Sequence, residues 1–82
     1  MRLSDTVNLM NSSDWKDRLV AEYVQLSIRL SKLEDVLNNK SDTYSADNRT
    51  RAVLMKQHDA MESYKICLEK RAEIANVSLH MY

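Results

Sequence analysis

Apolar ladders at seven-residue spacing are the feature that most constrains how this chain folds. One ladder lies in each half of the sequence: Leu19, Leu26 and Leu33, then Leu54, Met61, Leu68 and Ala75. A seven-residue repeat keeps apolar side chains on one face of a helix, so each ladder predicts an amphipathic helix. The sequence therefore predicts an all-α fold in which two helices pack along a shared seam.

Cap residues mark where the two helices begin and end. The run Ser12-Ser13-Asp14 supplies the N-cap signal for the first helix, Asn38-Asn39 suits its C-terminus, and Ser45 or Asp47 can cap the second helix. A connection of about eight residues makes the helices antiparallel neighbours. We therefore expect three segments: an N-terminal arm over 1–12, then a helical hairpin over 13–82 with helices at about 14–38 and 46–77.

Composition narrows the class of protein. Glycine and proline are absent, so nothing in the sequence interrupts a long helix. The 12 basic and 12 acidic residues balance, whereas proteins that bind polymeric nucleic acid usually carry excess positive charge. A single cysteine excludes an internal disulfide and fits the cytoplasm, and no apolar run reaches the roughly 18 residues that span a membrane.

Each predicted helix carries a second apolar stripe away from the seam. In the first helix it comprises Val20, Ala21, Val24 and Ile28, and in the second Val53, Ala60, Cys67 and Ile74. A monomeric hairpin exposes such stripes, and exposed apolar patches on small proteins mark association surfaces. We therefore expect a homo-oligomer, with the N-terminal arm docked on the hairpin or on a neighbouring subunit.

Catalytic and metal-binding motifs are missing from the sequence. It contains no glycine-rich phosphate loop, paired cysteine ligands or nucleophile elbow, which predicts a protein that is not an enzyme and has no catalytic residues. His58 and Glu62 have the i, i+4 spacing that can chelate a metal, but without a third ligand we interpret them as a solvated helix face and expect no metal. Cys67 is expected to be a small buried thiol.

Arginine and tyrosine side chains on the polar side of the seam are the candidate ligand-binding residues: Arg18, Arg29, Gln57, Tyr64 and Arg71. The guanidinium fork suits phosphate, and a tyrosine ring can stack on a nucleobase. In the alternative interpretation, Arg29 and Arg71 pair with neighbouring carboxylates and only fix the helix register. Free amides and two arginines at the start of the second helix, Asn48 to Arg51, form a second candidate anion site, for which the alternative is a solvated cap.

Two stretches carry a resemblance to a known family: Trp15-Lys16-Asp17-Arg18-Leu19-x-x-Glu22-Tyr23-x-x-Leu26-x-x-Arg29-Leu30-x-Lys32-Leu33 and Leu54-x-x-Gln57-x-x-Ala60-Met61-x-x-Tyr64-x-x-x-Leu68-x-x-Arg71-Ala72-Glu73-Ile74. They resemble a small helical-hairpin family found in phages and named after a crAss-like phage protein. That family is in turn similar to the anti-CBASS and anti-Thoeris sponges, with which phages disarm nucleotide-signalling immunity.

The resemblance implies a function as well as a fold. It implies a compact all-α oligomer, often a hexamer, that acts in the host bacterial cytoplasm without a cofactor. Such proteins hold cyclic nucleotides or cyclic ADP-ribose isomers between protomers, through tyrosine, arginine and lysine, and do not cleave them. The alternative is a structural or interaction protein whose helices pair with a host or phage protein.

Overall fold

The computed structural model describes residues 2–38 and 48–79. The elements are a 3-10 turn at Leu3–Thr6 followed by three α-helices: α1 (Val7–Met10), α2 (Trp15–Asn38) and α3 (Asn48–Ala75). The all-α prediction is confirmed, since every regular element in these ranges is helical. The predicted helix start at 46, with its cap candidates Ser45 and Asp47, lies outside the described residues.

Helix α2 begins with side-chain caps on its free amides. The carboxylate of Asp14 accepts a hydrogen bond from the Lys16 amide at 2.9 Å, as an N-cap residue does. The hydroxyl of Ser12 accepts from the Asp14 amide at 3.1 Å and donates to Asp17 at 2.8 Å. These contacts fix the point at which the arm turns into the long helix.

Helices α2 and α3 pack in opposite directions. Glu22, early in α2, meets Arg71, late in α3, whereas Glu34 near the end of α2 meets His58. Between these contacts lies a small core, and partly buried residues pack around it. The buried members are Leu19, Leu26, Leu68 and Ala72, and the packed residues are Tyr23, Met61, Val77 and Leu79.

A Schellman motif ends α3. Asn76 has a positive φ of 57°, its amide donates to the Glu73 carbonyl at 3.2 Å, and the Val77 amide donates to the Ala72 carbonyl at 2.8 Å. The helix therefore stops at Ala75 and not at the predicted residue 77. The reversal also brings Val77 back onto the core.

The N-terminal arm covers the second apolar stripe of α2. The turn at Leu3–Thr6 and helix α1 both pack on α2, and along the stripe Val20 is 7% exposed, Ala21 0% and Val24 2%. Thr6 is fully buried, and its hydroxyl donates to the Leu3 carbonyl and accepts from Gln25 at 2.8 Å. The expectation that a single copy exposes this stripe is therefore wrong, because the chain covers it with its own arm.

The corresponding stripe of α3 stays open to solvent. Val53 is 63% exposed and Ile74 is 84% exposed, with Ala60 between them also exposed. The prediction of a buried thiol is wrong, because Cys67 lies on this uncovered stripe and is exposed. The stripe lies beside the seam on the helix surface, where α2 does not reach it.

None of the helices in the described residues combines the length and apolar character that a membrane span requires.

Candidate ligand-binding face

One side of the α2–α3 pair carries most of the predicted ligand-binding residues. A guanidinium nitrogen of Arg71 lies 3.9 Å from a carboxylate oxygen of Glu22. Seven residues make about two helical turns, so residues seven apart lie on the same side of a helix. Because the helices are antiparallel, moving seven residues forward from Glu22 on α2 and seven back from Arg71 on α3 leads to Arg29 and Tyr64. A further step along α3 leads to Gln57. We call this set the arginine–tyrosine face: Glu22, Arg29, Gln57, Tyr64 and Arg71.

The side chains of this face are available to a ligand. Tyr64 is 42% exposed, and Arg29 and Gln57 are exposed as well. Arg29 forms no hydrogen bond or ion pair with another residue of the described ranges. The Gln57 amide has only a weak contact, 3.8 Å to the sulfur of Met61. An arginine and a phenol ring at the same level of the helix pair therefore face solvent.

The alternative interpretation, in which the arginines only pair with carboxylates, applies to one of them. Arg71 pairs with Glu22, but the two side chains are 55% and 39% exposed. Exposed ion pairs at this distance contribute little to stability, because water screens both charges. Arg71 can therefore exchange Glu22 for an anionic ligand at small cost.

Arg18 is the one predicted residue that the structure uses elsewhere. It lies one helical turn before Glu22 on α2, at the edge of the arginine–tyrosine face. Its guanidinium donates to the backbone carbonyl of Ser12 at 2.9 Å. This contact ties the arm to α2, which gives Arg18 a structural role at this junction.

The other side of the helix pair contains a cavity of about 370 Å³ around Tyr23. Its lining residues are Tyr23, Glu69, Ala72, Glu73, Val77 and Leu79. The Tyr23 hydroxyl donates to Glu69 at 3.0 Å, and the Lys65 ammonium lies 5.8 Å from the ring centroid. Burial raises the pKa of Tyr23, and the hydrogen bond to Glu69 raises it further. Because two carboxylates line this cavity, it is poorly suited to phosphate.

At the start of α3, the second candidate anion site, one of the two arginines forms a hydrogen bond to α2. Arg51 donates to the Leu37 carbonyl at 2.8 Å, so its guanidinium satisfies the C-terminal end of α2. A second cavity, of about 380 Å³, adjoins this end of α3 and is lined by Arg49, Thr50, Val53 and Leu54.

A cluster of one histidine and two glutamates joins the two helices. The sequence pattern pointed to two of its three members. His58 and Glu62 lie one turn apart on α3, and α2 adds Glu34, whose carboxylate oxygen is 3.5 Å from His58 Nε2. The three potential ligand atoms lie within 4.8 Å of one another. The third group was missed because Glu34 lies 24 residues away in sequence, so only the pairing of the helices reveals it.

The fold and the site together define a small all-helical protein with a solvent-facing arginine–tyrosine surface suited to binding. The sequence model of the Sequestin family matches residues 13–74, and the chain belongs to this family. The matched range includes all of α2 and nearly all of α3, the two helices that build the arginine–tyrosine face. No curated protein and no solved structure matches the chain.

Proposed function

We propose that this Sequestin-family protein binds and sequesters a cyclic nucleotide immune signal without cleaving it. In this role it acts as a phage anti-defence protein in the cytoplasm of the infected bacterium. The messenger is of the CBASS or Thoeris type, a cyclic oligonucleotide or a cyclic ADP-ribose isomer. The observation that carries the proposal is that Arg29 and Tyr64 are both exposed at the same level of two helices that belong to a family named for sequestration.

The chemistry of the arginine–tyrosine face fits such a ligand. Arg29 and Arg71 offer planar forks of N–H donors that match phosphate oxygens, and the ring of Tyr64 offers a flat surface to a base. Gln57 adds an amide that can both donate and accept a hydrogen bond, which suits the edge of a base. A protein that sequesters needs affinity and abundance and no catalytic group, because it lowers the free signal by mass action.

A second copy of the chain supplies the enclosure that one copy lacks. The exposed stripe of α3 places an apolar or small residue every seventh position, and the polar members of the face lie between them. In an antiparallel α3–α3 pair, the small residues Ala60 and Cys67 face each other across the axis, and Tyr64 lies at the centre. The stripe is therefore complementary to its own copy, and two arginine–tyrosine faces meet at its edge.

Calorimetry with a panel of cyclic di- and trinucleotides and cyclic ADP-ribose isomers tests the proposal. We expect at least one compound to bind at micromolar concentration or tighter, and to be recovered chemically unchanged after the protein is denatured. Arg29→Ala should weaken binding roughly tenfold or more, since a charge-assisted hydrogen bond is lost. Tyr64→Phe should bind nearly as well as the wild type, and Tyr64→Ala should bind poorly, because stacking needs the ring.

Lys32→Ala is the matched control, since it removes the same charge from an exposed position less than one turn beyond Arg29. It should leave affinity within a factor of about two, because Lys32 is not part of the arginine–tyrosine face and a solvated charge without a direct contact contributes little. If none of the compounds binds, or if the Lys32 and Arg29 variants lose affinity equally, the proposal fails. A stoichiometric protein partner captured by the ligand-free protein would then favour the alternative of a helical interaction protein.

A further inference from the structure

We infer that Glu34, His58 and Glu62 form a binding site for a divalent transition metal, with zinc as the first candidate. The site joins α2 to α3 on the side of the helix pair away from the arginine–tyrosine face. It is independent of the proposed nucleotide binding, since none of its residues belongs to that face. The three side chains are 45%, 26% and 44% exposed, so an ion can reach them from solvent.

The distances suit coordination of one ion. In a tetrahedral site with metal–ligand bonds of about 2.0–2.1 Å, neighbouring ligand atoms lie roughly 3.3 Å apart. His58 Nε2 lies 3.5 Å from a Glu34 oxygen and 4.0 Å from a Glu62 oxygen. All three ligand atoms lie within 4.8 Å of one another, so side-chain rotations of the two glutamates can bring them to this spacing. Imidazole with two carboxylates is a ligand set that favours zinc and related transition metals over magnesium or calcium.

A third carboxylate, that of Asp59, lies where an outer-shell partner of a metal-bound histidine is expected. The Nδ1 atom of His58 is 3.4 Å from a carboxylate oxygen of Asp59. In the tautomer that carries its proton on Nδ1, His58 points that N–H toward Asp59 and turns the lone pair of Nε2 toward Glu34 and Glu62. Such carboxylate–histidine–metal arrangements orient the ring and raise its basicity.

Space next to the cluster leaves room for further ligands. A cavity of about 350 Å³ is lined by Glu34, Leu37, Asn38, Met55, His58 and Asp59. Three protein ligands beside an open cavity leave a coordination position for water or for an oxygen of a small anion. Because Glu34 comes from α2 and the other two ligands come from α3, the bound ion also links the two long helices.

Zinc titration of the chelator-treated full chain tests the site, with calorimetry and thermal unfolding as readouts. We expect one zinc ion per chain at micromolar affinity and a rise in Tm of about 10–20 °C at a hundredfold excess over Kd. Magnesium at the same concentration should produce no rise. Glu34→Gln and His58→Ala should each lower zinc affinity by roughly tenfold or more, since each removes one of three ligands.

Three control variants separate this site from other zinc-binding groups. Asp35→Asn removes an exposed carboxylate next to Glu34, while Cys67→Ser and His80→Ala remove the remaining thiol and imidazole. All three should keep wild-type zinc affinity. The inference is overturned if zinc does not bind, if Glu34→Gln binds zinc as well as the wild type, or if Cys67→Ser abolishes binding. Circular dichroism of Glu34→Gln without zinc checks that this variant is folded.

Discussion

Tyr23 shows how one side chain can join both helices through its polar and apolar parts. Its ring packs against the core, its hydroxyl donates to Glu69 at 3.0 Å, and Lys65 lies above the ring. Burial is the main reason that the pKa of Tyr23 is raised, and the carboxylate of Glu69 adds to the effect. The phenol is therefore held in its protonated form by the folded chain.

This contact predicts a pH-dependent effect of Tyr23→Phe. Near neutral pH the substitution should lower the free energy of unfolding by about 0.5–1 kcal/mol, the net contribution of one hydrogen bond. Because the folded pKa lies above the ordinary value of 10.0, the stabilisation by Tyr23 is complete below that pH and is lost as pH rises through the folded pKa. Urea unfolding of both proteins at neutral pH and above pH 10 measures the difference.

Tyr64→Phe is the control for this prediction, because it removes an exposed phenol from the other long helix, α3. Its unfolding free energy should follow that of the wild type over the whole range. The difference in unfolding free energy between the wild type and Tyr23→Phe could also stay constant above pH 10. In that case the hydroxyl does not need its proton to stabilise the fold, and the hydrogen bond to Glu69 is not the source of the stabilisation.

At the scale of single elements, the end of α3 depends on one residue in a left-handed conformation. Asn76 is the one non-glycine residue with positive φ in the described ranges, and it orients the two closing hydrogen bonds of the helix. The left-handed conformation costs most residues with a Cβ roughly 1–2 kcal/mol. The cost is smaller for asparagine and absent for glycine. The same residue directs Val77 onto the core.

Substitutions at Asn76 should therefore follow backbone preference and not side-chain size. We expect Asn76→Ala to lower the free energy of unfolding by about 1 kcal/mol, and Asn76→Gly to keep or slightly raise it. Urea unfolding monitored by helical circular dichroism measures both. Equal stability of the alanine and glycine variants would mean that the α3 terminus does not hold the left-handed conformation in solution.

Much of the helical architecture could be predicted from the sequence, because heptads and caps are local signals. The predicted range of about 14–38 compares with Trp15–Asn38, and within the predicted cap run Ser12-Ser13-Asp14 it is Asp14 that accepts from the helix amide. The register of the two helices is not fixed by these local signals, and the structure sets Glu22 against Arg71. Register depends on how side chains interlock across the seam, and a periodic pattern permits several such pairings.

The place where the arm docks and the cluster of Glu34, His58 and Glu62 could not be predicted, because both depend on contacts between distant segments. The docked position of Thr6 rests on Gln25, 19 residues away, and a short arm has no helical stability of its own to reveal it. For the arginine–tyrosine face, heptad spacing correctly placed Gln57, Tyr64 and Arg71 on one side of α3. Spacing cannot show which arginines have partners, and the structure pairs Arg71 while leaving Arg29 exposed.

At the scale of the whole molecule, the apolar stripe of α2 is buried and the apolar stripe of α3 is exposed. This difference in exposure indicates where we expect two copies to make contact. The arm buries the stripe of α2, whereas the stripe of α3 stays exposed, so we place the expected contact on α3. Ile74 is 84% exposed, so changing it does not disturb the core of a single chain. In the antiparallel pair proposed above, Ile74 packs beside Val53 of the second copy, where a charge has no partner.

Ile74→Glu should therefore convert the proposed oligomer to a monomer that keeps its helical content. Ile66→Glu is the matched control, because Ile66 is 49% exposed but lies off the stripe, on another face of α3. Sedimentation equilibrium should show the wild type and Ile66→Glu as oligomers and Ile74→Glu as a single-chain species. A wild type that sediments as a single chain would remove α3 as an interface. Oligomers of equal mass for both variants would place the contact between copies elsewhere on the surface.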